Sequence, residues 1–178
     1  MRLTCTPSQR GRGASLILAA GLAVASARAD VTEYLSDLPE RLVQTRQDWG
    51  ELGYDVAAHA GGTPGQPLRI ASHTYAKGLG HHANGAIHVL LDAEFDRFEA
   101  AVGLQPCESG SVRFRVRVDG VERFDSGAMR SGDEPKSIDL PLAGAQELVL
   151  EAADTGDGIS CDMANWAEAR LHRSAQPA

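Results

Sequence analysis

Apolar and polar residues alternate along much of the second half of the chain. The clearest run is residues 112–118, in which every even-numbered position is apolar and each odd-numbered position between them is arginine. Successive side chains of a β-strand point to opposite faces, so this run predicts a strand with one face in a core and one in water. Similar apolar or alternating runs predict further strands at residues 87–91, 98–102, 138–142 and 147–152.

Turn-forming residues separate these runs. Asp119 and Gly120 directly follow the arginine-bearing run, and this dipeptide predicts a tight hairpin that returns through residues 121–125. Residues 54–66 are rich in Gly, Ala and Pro and predict a surface loop, whereas residues 126–136 predict a polar loop.

The signals in the remaining segments are weaker. Residues 31–38 alternate loosely and predict a strand that ends before Pro39, and short strands are expected at residues 68–72 and 167–172. Residues 40–48 predict a polar connection, for which one short helix is the alternative.

This arrangement indicates an all-β protein. Eight or nine short strands are separated by turn residues, and there is no long stretch of helical periodicity. We expect one domain with the architecture of a β-sandwich or jelly roll. A single helix at residues 40–48 would not change that class.

The first 29 residues have the organisation of a secretory signal peptide. Three arginines precede a stretch of small and apolar residues at 14–25, and an Ala-Arg-Ala cleavage pattern ends at Ala29. The stretch is shorter than the about 20 apolar residues that a membrane-spanning helix needs. We predict a signal peptide at residues 1–29, a single mature domain at residues 30–178 that begins with Asp30, and a secreted or periplasmic location.

The charge balance argues against polyanionic partners. Loss of the first 29 residues, which contain four arginines and no acidic residue, changes the net charge from −7 to −11. An acidic surface repels the phosphates of nucleic acids and of anionic lipids. We therefore expect neither nucleic-acid binding nor membrane insertion. Neutral molecules and cations remain the possible ligands.

Two cysteines, Cys107 and Cys161, remain after the predicted cleavage, and both lie in loop-like segments. Cysteines of an exported protein can pair in an oxidising compartment. We predict a disulfide between them, provided that the fold brings their Cα atoms within about 7 Å.

The sequence contains no recognisable catalytic constellation. It has no Gly-x-Ser-x-Gly nucleophile elbow. Its 24 acidic residues make close carboxylate pairs unavoidable, so their number alone does not indicate a glycosidase. We predict that the chain is not an enzyme, with a minimal glycoside hydrolase as the alternative.

A calcium site is the best metal candidate. Asp154, Asp157 and Asp162 lie in one glycine-containing segment whose carboxylates and carbonyls suit Ca²⁺, which takes oxygen ligands. The alternative is that turns require Asp and Gly at these positions. His81 and His82 are adjacent, so on a strand they point to opposite faces and cannot chelate one ion together.

Two segments, residues 73–85 and 162–168, concentrate residues suited to sugar binding, and the second is expected to be a short polar turn. Sugar sites combine an aromatic ring, which covers the apolar C–H face, with a few fixed hydrogen-bonding groups. The alternatives are that the tryptophans fill the core and that His82 and Asp162 hydrogen-bond within the fold. The candidate carbohydrate-binding residues are His82, Trp49, Lys77, Trp166, Asn165 and Asp162.

The chain resembles the NPCBM family, which overlaps carbohydrate-binding module family 51. Segments similar to the family's signatures occur in the family's order over almost all of residues 30–178. They are residues 34–38, Trp49-Gly50, residues 75–80 with His82 and Ala83, residues 98–103 and 110–116, Asp119-Gly120, and residues 125–127, 144–145, 148–150, 154–158 and 162–166.

The resemblance implies a β-sandwich of the jelly-roll, galactose-binding-like type that binds sugars, typically galactose-containing glycans, with calcium in some members. It also implies a glycoside hydrolase as a partner, because such modules are usually appended to these enzymes. We therefore expect an exported, non-catalytic module for a neutral glycan. The alternative is an interaction domain that has kept the sandwich and lost sugar binding.

Two positions depart from the family pattern. The family often has His where Met163 stands and Ser where Gly85 stands. If either position lines the ligand pocket, we expect the sugar affinity to be weakened or redirected.

Overall fold

The computed structural model describes Met1 and residues 30–175. The regular structure of this part consists of thirteen β-strands and two short 3-10 turns, at Leu35–Asp37 and Pro39–Arg41. The predicted signal peptide, residues 1–29, lies outside the described residues apart from Met1. The strands are β1 (Val31–Tyr34), β2 (Leu42–Arg46), β3 (Gly53–Tyr54), β4 (Leu68–Ile70), β5 (His73–Tyr75), β6 (Gly78–His82), β7 (Gly85–Leu90), β8 (Arg97–Leu104), β9 (Ser111–Val118), β10 (Val121–Arg130), β11 (Lys136–Pro141), β12 (Glu147–Asp154) and β13 (Met163–Arg173).

Two antiparallel sheets face each other and form a β-sandwich. The larger sheet has the strand order β11-β8-β13-β6-β3, with β1 paired to β13, and the smaller has the order β10-β9-β12-β7-β2. Strands β4 and β5 form a separate hairpin. The predicted all-β sandwich is confirmed. In the part of the chain that the structure describes, no helix has the length and apolar character needed to cross a membrane.

The core lies between the sheets, and β9 shows how the sequence builds it. Val112, Phe114 and Val116 are fully buried, whereas the three arginines between and beyond them lie on the outer face and pair with acidic residues of β10 and β12. The ring of Phe114 meets that of Trp166, on β13 of the other sheet, edge to face with centroids 5.2 Å apart. The alternation predicted for this strand therefore sets the inner and outer faces of the smaller sheet.

The hairpin after β9 also follows the prediction. Asp119 has φ of 48° and Gly120 has φ of 77°. A two-residue type I′ turn requires positive φ at both of its central residues, which is why Asp-Gly favours it.

Several predicted boundaries were wrong. Strand β10 continues to Arg130, so the polar loop is confined to residues 131–135. The first strand ends at Tyr34 instead of reaching residue 38. Residues 42–46, expected in a polar connection or a helix, form the edge strand β2, whose side chains from residue 43 onward are exposed and therefore show no apolar alternation.

The largest correction concerns residues 162–168, which were expected to form a short polar turn that closes on Trp166 and leads into a strand at residues 167–172. From Met163 onward they belong to β13, which lies between β8 and β6 in the middle of the larger sheet. The strand signal is weak because small and polar residues, including Ala164 and Asn165, occupy its buried positions.

Candidate functional site

A pocket of about 310 Å³ opens at one end of the sandwich, where β6 ends at His82 and β13 begins at Met163. These two residues lie directly opposite each other in the antiparallel ladder. The loop after β2, the segment after β8 and the loop between β12 and β13 complete the walls. The lining residues are Trp49, His82, Cys107, Ile159, Ser160, Cys161 and Met163.

The His82 ring is held in the wall of the pocket by a backbone carbonyl. Its Nδ1 atom lies 2.5 Å from the carbonyl oxygen of Ala83. A carbonyl oxygen only accepts, so Nδ1 carries the proton and Nε2 of the neutral ring is an acceptor. Nε2 has no hydrogen-bond partner within the described residues and is not sealed from solvent. The pocket wall thus contains one fixed hydrogen-bond acceptor.

Trp49 supplies an aromatic surface beside this acceptor. The residue is 43% exposed, and its ring centroid lies 5.2 Å from that of His82. The loop is held by Gly50, which has φ of 71° and whose missing Cβ would lie 2.6 Å from the carbonyl oxygen of His59. Backbone hydrogen bonds in both directions between Glu51 and His59 fix the same loop. The backbone next to Trp49 is therefore held in place.

The structure joins Cys107 and Cys161 in a disulfide, as predicted, with Cα atoms 5.8 Å apart. The bridge forms part of the pocket wall and fastens the β12–β13 loop to the segment after β8. Cys161 has φ of 65°, a left-handed conformation that a non-glycine residue keeps only when its surroundings hold it.

Lys77 does not reach this pocket. It precedes β6, whereas His82 ends that strand, so their Cα atoms are separated by about 16 Å of extended chain. Its ammonium group donates to Asp37 at 2.6 Å and to Asp55 at 2.8 Å, and lies 5.6 Å from the centroid of the Tyr34 ring. The hydrogen bond to Asp37, joined by that to Asp55, raises the pKa of Lys77.

Trp166 and Asn165 are fully buried on β13. Trp166 packs against Phe114 in the core, as the alternative for the tryptophans foresaw. The Asn165 amide donates to the carbonyl oxygen of Arg69 at 2.8 Å and to Oε1 of Gln105 at 2.7 Å. These two candidates support the frame of the sandwich and do not form the surface of the pocket.

Asp162 is also fully buried and ties segments together below the pocket. Its Oδ1 accepts from the backbone N–H of Ser111 at 2.8 Å, and its carbonyl oxygen accepts from the N–H of Ala83 at 3.1 Å. Burial raises the pKa of the Asp162 carboxyl group. The expected link between the His82 and Asp162 segments thus exists, and it runs through the backbone next to His82.

The three aspartates proposed for calcium are largely held by protein donors. Asp154 accepts from the amide of Asn84 at 2.9 Å, which lowers the pKa of Asp154, and both oxygens of Asp157 lie 2.8 Å from the hydroxyl of Ser111. Oδ2 of Asp162 is buried without a partner, and such an oxygen suits a hard cation. Within residues 30–175, however, no group of three or more His, Cys, Asp or Glu side chains is placed to hold a metal ion. Calcium binding therefore stays a prediction.

Sequence reasoning gave no role to two lining residues, Ile159 and Ser160. Ile159 is the single large apolar residue in the polar segment 154–162, which is a signal that its side chain has an apolar neighbour. Met163 was recognised as a departure from the family pattern, and the structure places it in the pocket.

Gly85, the other departure, lies outside this lining. A Cβ at Gly85 would lie 2.4 Å from Nε2 of His81 and 2.5 Å from the carbonyl oxygen of Arg46. His81 is fully buried with Nε2 3.0 Å from that carbonyl, and burial lowers the pKa of His81 to about 4. Gly85 therefore accommodates the packing of His81, and Met163 is the departure that reaches the pocket.

Comparisons with known proteins agree with this architecture. A protein of Renibacterium salmoninarum named "Putative endo-alpha-N-acetylgalactosaminidase" is 31% identical over 130 residues, and the match covers 71% of this chain but only 9% of that protein. The CBM51 of Clostridium perfringens GH95, solved in complex with methyl-galactose, superposes with a TM-score of 0.72 at 28% identity and covers 79% of this chain and 99% of that one.

A second solved structure contains the CBM51-2, in complex with GlcNAc, and INT domains from Clostridium perfringens ZmpB. It superposes with a TM-score of 0.73 at 25% identity and covers 80% of this chain and 32% of that one. The NPCBM/NEW2 domain family matches residues 31–172, which is most of the chain. The chain therefore belongs to the NPCBM family.

Proposed function

We propose that the chain is a non-catalytic carbohydrate-binding module that holds a neutral sugar in the pocket between Trp49 and Met163. The observation that carries this proposal is the pairing of the half-exposed Trp49 with His82, whose ring centroids lie 5.2 Å apart and whose Nε2 atom is a fixed acceptor. An indole covers the C–H face of a sugar ring, and Nε2 of His82 accepts from one of its hydroxyls. The sugars in the two solved relatives support this use of the fold.

The chemistry of the lining supports binding without hydrolysis. Glycosidases of the usual kind place two carboxyl groups on either side of the scissile bond. None of the described residues that line the pocket is Asp or Glu. We expect no turnover of a chromogenic galactoside, and measurable hydrolysis would revive the alternative of a minimal glycoside hydrolase.

We further propose that the module acts outside the cytoplasm with a glycoside hydrolase as its partner. The predicted signal peptide at residues 1–29 supports the location, and the match to part of a protein named as a glycosidase supports the partner. The module would then hold such an enzyme close to its glycan. Galactose-containing glycans, which the family resemblance implies, are the first ligands to test.

A glycan array followed by titration of the best ligand tests the proposal. Trp49→Ala should weaken binding by about 2 kcal/mol, about thirtyfold, because the aromatic face is lost, and His82→Ala should weaken it at least tenfold. Tyr54→Ala is the matched aromatic control, because Tyr54 is 42% exposed and lies outside the pocket lining. His88→Ala is the histidine control, because His88 pairs with Glu147 on β12.

The melting temperature separates loss of the site from loss of the fold. A variant that melts like the wild type and no longer binds supports the site. Equal loss in the two control variants would contradict it, and a folded wild type that binds nothing on the array would favour an interaction domain.

A further inference from the structure

The chemistry of the pocket limits which edge of a sugar it accepts. Among its lining side chains, hydrogen-bonding groups come from His82, Ser160 and the indole N–H of Trp49. The volume of about 310 Å³ lies at the lower end of the range for ligand pockets, about 300 to 1,000 Å³, so the pocket suits one sugar ring. The other lining side chains present carbon and sulfur atoms: Ile159, Met163 and the Cys107–Cys161 bridge.

Met163 makes the pocket surface next to the His82 acceptor apolar. It is the direct cross-strand partner of His82, so the two side chains share one face with Cβ atoms about 4.5 to 5.5 Å apart. A sugar whose hydroxyl bonds to Nε2 of His82 therefore places the neighbouring edge of its ring against the thioether. Ile159 and Cys161 line the same pocket from the β12–β13 loop, and Cys107 lines it from the segment after β8.

A hydroxyl pressed against this apolar surface would lose its hydrogen bonds to water and gain no partner, which is unfavourable. A methyl group in the same place removes apolar surface from water and contacts polarisable sulfur, which is favourable. We propose that the pocket selects sugars that carry a methyl group on the buried edge, and that Met163 is the specificity-determining residue. This inference rests on the proposed function.

Two kinds of sugar offer such a methyl group: 6-deoxyhexoses, at C6, and N-acetylhexosamines, in the acetyl group. Matched pairs distinguish them because the members of each pair differ at one substituent. The 6-deoxy pairs are D-fucose with D-galactose and L-fucose with L-galactose. The acetyl pairs are N-acetylgalactosamine with galactose and N-acetylglucosamine with glucose.

Titration of the wild type with these sugars as free reducing sugars, so that the hydroxyl-bearing member of each pair carries no methyl group, is the first measurement. We expect the methyl-bearing sugar to bind at least tenfold more tightly in the 6-deoxy pairs or in the acetyl pairs, since one mismatched group in an apolar pocket changes affinity by roughly 10- to 200-fold. The pair that shows the preference identifies the source of the methyl group. Equal or tighter binding of the hydroxyl-bearing sugar in every pair would overturn the inference.

Met163→Gln tests the assigned residue, because glutamine has a similar length and adds an amide beside His82. The preference should fall below threefold, chiefly because the hydroxyl-bearing sugar binds more tightly. Met163→Leu is the control that keeps an apolar side chain, and it should keep the preference. A Met163→Gln protein that folds and retains the full preference would remove Met163 from its assigned role.

Ile159→Ser provides a second variant should Met163→Gln melt at a much lower temperature. Ile159 lies on a loop, and its substitution should reduce the same preference without altering β13. The outcomes also separate the two proposals. If hydroxyl-bearing sugars bind as tightly as their partners, this inference fails and the proposed function stands; if no sugar binds, both fail.

Discussion

Removal of the Cys107–Cys161 disulfide is expected to destabilise the domain by about 4 kcal/mol. The two cysteines are 54 residues apart in sequence. In the chain-entropy description, a cross-link that closes a loop of this length removes conformational freedom from the unfolded chain worth about 4 kcal/mol at 25 °C. Natural domains have free energies of unfolding of only about 5 to 15 kcal/mol, so this loss is a large part of the total.

The folded state should change much less than the unfolded state. The β12–β13 loop is also held by Ser111, whose N–H donates to Asp162 and whose hydroxyl lies 2.8 Å from both oxygens of Asp157. On the other side, the Cys107 backbone is bonded in both directions to the hydroxyl of Ser131, at 3.0 and 2.8 Å. The native geometry of the pocket therefore has support besides the bridge.

Urea denaturation of the double variant Cys107→Ser/Cys161→Ser measures the effect. We expect a lower midpoint, and reduction of the wild type with dithiothreitol should give the same loss. Thiol titration of the oxidised, unfolded wild type must find neither of these cysteines free. Two free thiols would refute the bond, and a double variant within 1 kcal/mol of the wild type would refute the loop-entropy reasoning.

Four further predictions concern pH, packing, calcium and processing. Burial lowers the pKa of His81 to about 4, so the neutral ring's contribution to the free energy of unfolding is complete above about pH 6.5 and is lost as the pH falls toward 4, by at most about 3 kcal/mol. His81→Gln should flatten the dependence of the free energy of unfolding on pH in this range, and an unchanged slope would contradict the assignment. Gly85→Ala should lower the free energy of unfolding, measured by chemical denaturation, by about 1 to 3 kcal/mol, because the new Cβ would lie 2.4 Å from Nε2 of His81. An unchanged free energy of unfolding would show that the surrounding residues move to make room. Calcium at 100 times its dissociation constant should raise the free energy of unfolding by about 2.7 kcal/mol, so the melting temperature should be higher with calcium than with a chelator. Coincident melting curves would exclude the site. Intact mass of the exported protein should show a chain that begins at Asp30, and retention of residues 1–29 would refute the predicted cleavage.

The candidate site was only partly accessible to sequence reasoning. His82 and Trp49 are residues of the right chemistry, and the structure brings their rings together. Trp166 and Asn165 have equally suitable chemistry, but both are fully buried. Residue type alone cannot distinguish these cases, because the same groups that bind a sugar also satisfy and fill a core.

The sequence by itself determined the all-β class, the inner and outer faces of β9, the position of the hairpin after it, and the two cysteines available to pair. Each of these follows from a local property: alternation of side chains along a strand, positive φ at Asp119 and Gly120, or the presence of two cysteines in a predicted mature chain.

Only the tertiary structure decided which residues form the pocket. Strand β13 lies between β8 and β6 in the larger sheet, and this central position buries Asn165 and Trp166. Met163, the first residue of β13, lies at the open end of the sandwich, opposite His82. The walls come from segments around residues 49, 82, 107 and 160, which are far apart in sequence. Their meeting depends on the order of strands in the sheets and on loop packing, which are set by contacts across the whole sandwich and leave no signal in any single stretch of the chain.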